Sequence, residues 1–183
     1  MLLDTPEAEI NWSAEDFSLQ DPKGNQFQLS DLMGKNGLVI AFICNHCPYV
    51  KAVIERFVAD AKALQSDGIN VVAINANDYS LYPEDSPEMM TKFATEHGFV
   101  FPYLIDEDQS VARAYGAVCT PDFFGFNGEG RLQYRGRIDD AGMGEASHRT
   151  PELLDAMRLI AATGTGPEQQ SASIGCSIKW RGR

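Results

Sequence analysis

The stretch AFICNHCPYVK, residues 41–51, sets Cys44 and Cys47 three positions apart, with His46 between them and Pro48 directly behind. Upstream, Leu38 to Ile43 is an unbroken apolar run of strand-forming residues, as a strand covered on both faces requires. Downstream, Val50, Ile54, Phe57, Ala61 and Leu64 recur at helical spacing. Glu55, Arg56, Asp60 and Lys62 lie off that stripe, and Gly68 suits a C-terminal cap. Cys44 is therefore expected at a strand end and Cys47 in the first turn of a helix.

That placement has chemical consequences. Cysteines three apart on a first helical turn bring their sulfurs together, so a disulfide closes with little backbone movement. Free N–H groups and the helix dipole at that end favour a negative charge, which lowers the pKa of the first thiol. Since the thiolate is the nucleophile in disulfide exchange, Cys44 is expected to attack and Cys47 to resolve. An imidazolium at His46 would stabilise the thiolate and with it the reduced state. Two other readings stay open at this point: inert core cysteines on a strand–helix turn, or half of a zinc site whose second half, another CxxC or an HxxxH, is absent.

The rest of the chain narrows the choice. With 183 residues, 44% of them hydrophobic, it can bury a core as one domain without disulfide staples. Its formal net charge of −11 argues against nucleic acid and anionic membrane surfaces as partners. Four cysteines, at 44, 47, 119 and 176, are too few for a disulfide scaffold, and a CxxC beside a β–α pattern reads first as redox-active. No apolar run has the length of a membrane span, and MLLDTPEAEINW has no basic stretch of a secretory signal, so the expectation is a cytoplasmic protein.

Working outward, Phe17 and Leu19, then Phe27 and Leu29, alternate about the turn residues Asp21 to Asn25, which predicts a hairpin within about 16–30. INVVAIN is a second buried strand. Ser86-Pro87-Glu88 has the composition of a helix start, FVFPYLID reads as a short strand, and DQSVARAYG as a short helix. After AVCTPDFFGF and the turn at 127–130, RLQYRGRI alternates, predicting a strand with Arg131, Gln133, Arg135 and Arg137 on a wet face. Thr150-Pro151-Glu152 opens a last helix. Strands alternating with helices imply an α/β fold, a mixed central sheet with helices on both faces, over residues 1–162. Residues 163–183 read as a linker and C-terminal arm packing on that domain.

The hairpin F-x-L-x-D-x-x-G, the CxxCP at the strand–helix junction, YLIDED, YGAVCTPDFF, YRGRID and the terminal SIGCSIKW together resemble the thioredoxin-like redoxins of the alkyl hydroperoxide reductase and thiol-specific antioxidant (AhpC/TSA) family. The resemblance runs from DFSLQDPKG to the last helix. It implies a thioredoxin-like fold and a thiol–disulfide oxidoreductase needing no organic cofactor or metal, with protein or low-molecular-weight thiols and disulfides as substrates and a separate redox partner. It implies Cys44 as the attacking and Cys47 as the resolving cysteine, with His46 at the position where strong oxidants carry histidine. Pro121 would match the family's cis-proline facing the couple, and Thr120 would offer backbone groups to a bound peptide.

Departures from thioredoxin are specific. Ile43 stands where thioredoxins place tryptophan, and Leu38 where they bury the acid that takes the resolving thiol's proton; Lys51 and His46 are the nearest titratable candidates by sequence. A thiol peroxidase is the first rival function. With Cys47 in the peroxidatic place, however, Cys44 takes the position of the required Thr or Ser, and Pro121 stands where the peroxide-polarising arginine is sought. The second rival is copper or zinc delivery through Cys44, Cys47 and His148, at a cysteine spacing shorter than such proteins use. Cys119 is expected as a buried strand residue. Cys176 is expected to be anchored through Ile178 and Trp180, with a role as an accessory thiol, or a Cys119–Cys176 pairing, left open.

Overall fold

Leu38–Phe42, the run ahead of the cysteines, lies inside a seven-stranded sheet of the computed structural model, which describes residues 1–182. In chain order the strands are β1 (Leu2–Asp4), β2 (Ser18–Gln20), β3 (Gln26–Gln28), β4 (Leu38–Phe42), β5 (Asn70–Asn75), β6 (Tyr103–Ile105), β7 (Cys119–Thr120), β8 (Asp122–Phe126), β9 (Leu132–Gly136) and β10 (Ile174–Ser177). The helices are α1 (Leu29–Leu32), α2 (Pro48–Ser66), α3 (Pro87–Glu96), α4 (Ser110–Ala114) and α5 (Glu152–Thr163), and a 3-10 turn covers Pro83–Asp85.

The large sheet runs β3-β2-β6-β5-β4-β8-β9, with β4–β5 and β5–β6 parallel and the other pairs antiparallel. Because successive side chains of a strand point to opposite faces, β4 feeds two cores. Val39 and Ala41, with Ile43 and both CxxC cysteines, join the cluster under α2, α3 and α5. Leu38, Ile40 and Phe42 join the cluster under α1 and α4, where Tyr115 packs edge-on against Phe124 and Trp12. All five β4 residues are buried. This is a mixed α/β fold with helices on both faces of one sheet.

Local sequence explains the elements that frame the cysteines. The α2 stripe of Val50, Val53, Ile54, Phe57, Ala61 and Leu64 is buried, and Gly68 at φ 75° ends the helix. The helix begins at Pro48, whose missing N–H costs nothing at the first helical position. Cys47 is therefore the N-cap, one step ahead of the expected first turn. Ser86 caps α3 by accepting the Met89 N–H.

One expectation about the second half needs revision. The polar face of β9 is not wet: Gln133 and Arg135 are both buried. Arg135 ion-pairs with the buried Asp122 at 2.8 Å, and its strand edge receives Gln170 of the C-terminal arm. The arm itself is structured. β10 lies between β1 and β7 in a separate three-stranded antiparallel sheet, with Cys176 opposite Thr120 and Ser177 opposite Cys119. The Thr120–Pro121 peptide bond, directly after β7, is cis.

Candidate active site

The loop between β4 and α2 places Cys44 and Cys47 against Thr120. Cys44 Sγ lies 3.3 Å from Thr120 Oγ1, and Cys47 Sγ donates to the Thr120 carbonyl at 3.3 Å. All four cysteines are free thiols. Cys44 and Cys47 are almost wholly shut from solvent, at 1% and 0% exposure.

The two thiols are pushed in opposite directions. Cys47 is pulled down to about 4, first by the hydrogen bond from Cys44, against the penalty of burial, and then by Cys176 and the Val50 N–H of the first helical turn. Cys44 moves the other way, held well above the ordinary thiol range by its bond to Cys47, by burial and by the negative charge of Asp85. The helix start sets Cys47 on the N-cap, with the Val50 N–H of the first turn on its sulfur.

Behind Cys44 stands a polar group that the sequence reading did not find. Asp85, in the 3-10 turn before α3, is buried and accepts the Asn45 backbone N–H at 2.7 Å and the Asn77 side chain at 2.8 Å. Its Oδ2 is 2.6 Å from His46 Nδ1, and the imidazole stacks parallel on Tyr82. The bond to Asp85 raises His46. Burial works against the Asp85 carboxylate, yet the bonds from His46, Asn77 and Asn45 outweigh it and lower its pKa. Tyr103 donates to Asn45 Oδ1 at 2.8 Å, fixing the residue between cysteine and histidine.

Cys44 Sγ, His46 Nδ1 and an Asp85 oxygen all lie within 4.8 Å of one another. These atoms could ligate an ion, but two of them already satisfy each other as a hydrogen-bonded pair. His148, the third ligand of the metal reading, is exposed in the loop after β9 and outside this group. Lys51 is exposed as well. Cys119 is buried opposite Ser177 and pushed up to about 12, mainly by burial, which leaves it a poor nucleophile.

The groups expected to receive a peptide are already engaged. β10 pairs with β7 at Thr120, and Ser173 Oγ donates to the Pro121 carbonyl at 2.6 Å. Cys176, half-buried, stands opposite Thr120 on this strand and packs against the cluster that holds both couple cysteines. Beside Pro121, a cleft of about 340 Å³ is lined by Tyr49, Val53, Phe123, Ile138, Met143 and Ile174 of the arm, among others.

Comparison with known proteins fits this geometry. A family model described as the AhpC/TSA family matches residues 10–135. The thiol-disulfide oxidoreductase ResA of Bacillus subtilis is 29% identical over 119 residues, 65% of this chain; the chain spans 62% of that protein's length. The peroxiredoxin Bcp of Escherichia coli is 27% identical over 66% of this chain and 74% of its own. A crystal structure of a conserved protein from Geobacillus kaustophilus superposes with a TM-score of 0.93 at 42% identity, covering 100% of this chain and 98% of that one. A secreted Mycobacterium tuberculosis disulfide oxidoreductase homologous to the E. coli protein DsbE shares the fold, with a TM-score of 0.55 at 20% identity over 64% of this chain and 80% of its own.

The last of these corrects the expectation of a cytoplasmic location. A protein with this fold is secreted, so neither the fold nor an acidic N-terminal stretch ties the chain to the cytoplasm. Among the described residues, no helix is long and apolar enough to cross a membrane.

Proposed function

This chain belongs to the AhpC/TSA family, and from that membership we propose that it is a thiol–disulfide oxidoreductase whose redox couple is Cys44 and Cys47. The observation that carries the reading is two free, buried thiols held side by side on Thr120 at the β4–α2 junction, with Cys47 on the N-cap of α2, where a thiolate is favoured. The roles of the two cysteines are the reverse of those the motif alone implies. The Cys47 thiolate attacks a substrate disulfide, one substrate sulfur joins Cys47, and the other leaves with the electron pair. Cys44 then attacks Cys47 Sγ, the substrate's second sulfur departs, and the Cys44–Cys47 disulfide remains. The proton of Cys44 passes to the departing substrate thiolate, since the core residue Leu38 stands where thioredoxin's upstream acid would take it. Attack on an outside substrate requires β10 to leave Cys47, since the arm closes the site.

The substrates are protein or low-molecular-weight thiols and disulfides. The cleft beside Pro121, lined by Tyr49, Phe123 and Met143, suits the apolar residues flanking a peptide cysteine. Reduction of a model protein disulfide by wild type, Cys44→Ser and Cys47→Ser tests the assignment. Cys47→Ser abolishes turnover, and Cys44→Ser stalls as a mixed disulfide with the substrate. Turnover surviving in Cys47→Ser would remove this reading.

One observation favours a second reading, an antioxidant thiol peroxidase. The charged sulfur is Cys47, the one in the peroxidatic place, and a relative is a peroxiredoxin. Against it, the nearby buried arginine, Arg135, is spent on Asp122. Rapid peroxide consumption by the Cys44→Ser variant would select the peroxidase.

A further inference from the structure

The strand edge after which Pro121 sits is filled by the chain's own β10, as a bound peptide would fill it. Cys176 stands opposite Thr120 in that pairing, and Thr120 is the residue that both couple sulfurs contact. Thr120 thus gathers three sulfurs: Cys44 on the loop before α2, Cys47 at the start of α2, and Cys176 on the arm. Cys176 packs on the same core cluster that holds the couple. Cys119 is excluded from this group by the strand alternation, since it sits opposite Ser177 and faces the other side of the small sheet. Of the three clustered sulfurs only that of Cys176 belongs to a residue with appreciable contact with solvent.

We propose that Cys176 is a third redox thiol, which exchanges with Cys44 as the disulfide partner of Cys47 and gives the buried couple its opening to solvent. The inference rests on the thiol–disulfide reading above. In the exchange, Cys176 Sγ attacks Cys47 Sγ of the Cys44–Cys47 disulfide. The Cys47–Cys176 bond forms and the Cys44–Cys47 bond breaks. Its electron pair goes to Cys44, which takes up the proton that Cys176 gives up. No net oxidation occurs, so no outside oxidant is needed. The new disulfide holds β10 to α2 and presents Cys176 as the sulfur open to attack. A low-molecular-weight thiolate that attacks Cys176 forms a mixed disulfide there and leaves the electron pair on Cys47. Cys47 is the sulfur of the three whose thiolate is best stabilised and so the best leaving group.

The experiment is disulfide mapping by mass spectrometry of non-reduced peptides. Full-length wild type, Cys44→Ser, Cys176→Ser and the double variant are oxidised with diamide at low protein concentration. The expected result is both Cys44–Cys47 and Cys47–Cys176 linkages in wild type, and a single intrachain Cys47–Cys176 disulfide in Cys44→Ser that the double variant lacks. A Cys44–Cys47 linkage in wild type with none to Cys176, and no intrachain disulfide in Cys44→Ser, would overturn the third-thiol role and leave the couple standing. Absence of any disulfide at Cys47 in wild type would overturn both. Circular dichroism of Cys44→Ser before oxidation establishes that the variant is folded; if it is not, Cys44→Ala takes its place.

Discussion

His46 and Asp85 meet through Nδ1 and Oδ2 at 2.6 Å, with the carboxylate wholly buried and the imidazole held flat on Tyr82. The pair sits beside Cys44 and joins the CxxC loop to the turn ahead of α3. It therefore gives histidine a purpose in the motif different from direct stabilisation of a neighbouring thiolate. His46 is held by a charge, and that carboxylate adds to the bond from Cys47 and to burial in raising Cys44.

Asp85→Asn should lower the His46 titration midpoint toward its ordinary value, as followed by imidazole proton NMR. The substitution should also cost about 1–3 kcal/mol in urea unfolding, the usual range for lost hydrogen bonds to a charged group. The His46 contribution is complete below its ordinary value of 6.5 and is lost as pH rises through the raised folded value. The Asp85 contribution is complete above 3.8 and is lost as pH falls through the lowered folded value. The wild-type advantage over the variant is thus largest between 3.8 and 6.5 and shrinks on either side. A variant with an unmoved His46 midpoint would contradict the pairing.

The thiolate at Cys47 should persist far into acid. Ultraviolet thiolate absorbance of the reduced protein is expected to fall away only near pH 4. Cys44→Ala, which removes the largest of the stabilising bonds, should move that midpoint upward. A wild-type midpoint in the ordinary thiol range would show that neither the N-cap nor the neighbouring thiol acts on Cys47.

Gly175 controls how closely the arm lies on β7. A Cβ there would overlap the Thr120 carbonyl oxygen, so Gly175→Ala must push β10 away. Overpacking of this kind costs about 1–3 kcal/mol. The informative readout is Cys47 itself, whose alkylation by a maleimide should quicken as the arm loosens while Cys119 stays protected. Equal protection of Cys47 in the variant would mean that the arm does not close the site.

Arg135→Ala should strip Asp122 of its charge partner at 2.8 Å and of the guanidinium packed over Phe124. Breaking a buried pair on one side costs about 3–5 kcal/mol. Burial already pushes Asp122 up to about 6, so its contribution is complete below 3.8 and is lost as pH rises through about 6. The deficit of the variant, measured by chemical denaturation, should therefore be small in acid and grow toward neutral pH. A pH-independent deficit would mean that packing, not charge, dominates.

The alternating strands and helices, the hairpin turn at Asp21–Asn25 and the Ser86 cap were legible because each rests on local periodicity or turn chemistry. The helix start was legible only to within one position. That single position matters, since it sets Cys47 on the N-cap itself. Asp85 could not be picked out, because in SLYPEDSPE it resembles its solvated neighbour Glu84, and only tertiary packing buries one and not the other. The wet face assigned to β9 failed for the same reason. Alternation shows which residues share a face, not whether a distant arm covers it. The placing of Cys176 beside the couple depends on the long-range pairing of β10 with β7, for which no local signal exists.

The most direct test of the account is a redox titration of the full-length protein in glutathione buffers, with the Cys44–Cys47 disulfide followed by mass spectrometry of alkylated peptides. The account predicts a reversible two-electron transition at a potential more oxidising than the thioredoxin value of about −270 mV, because the stabilised Cys47 thiolate favours the reduced form. A titration in which Cys44 and Cys47 never form a reversible disulfide would contradict it.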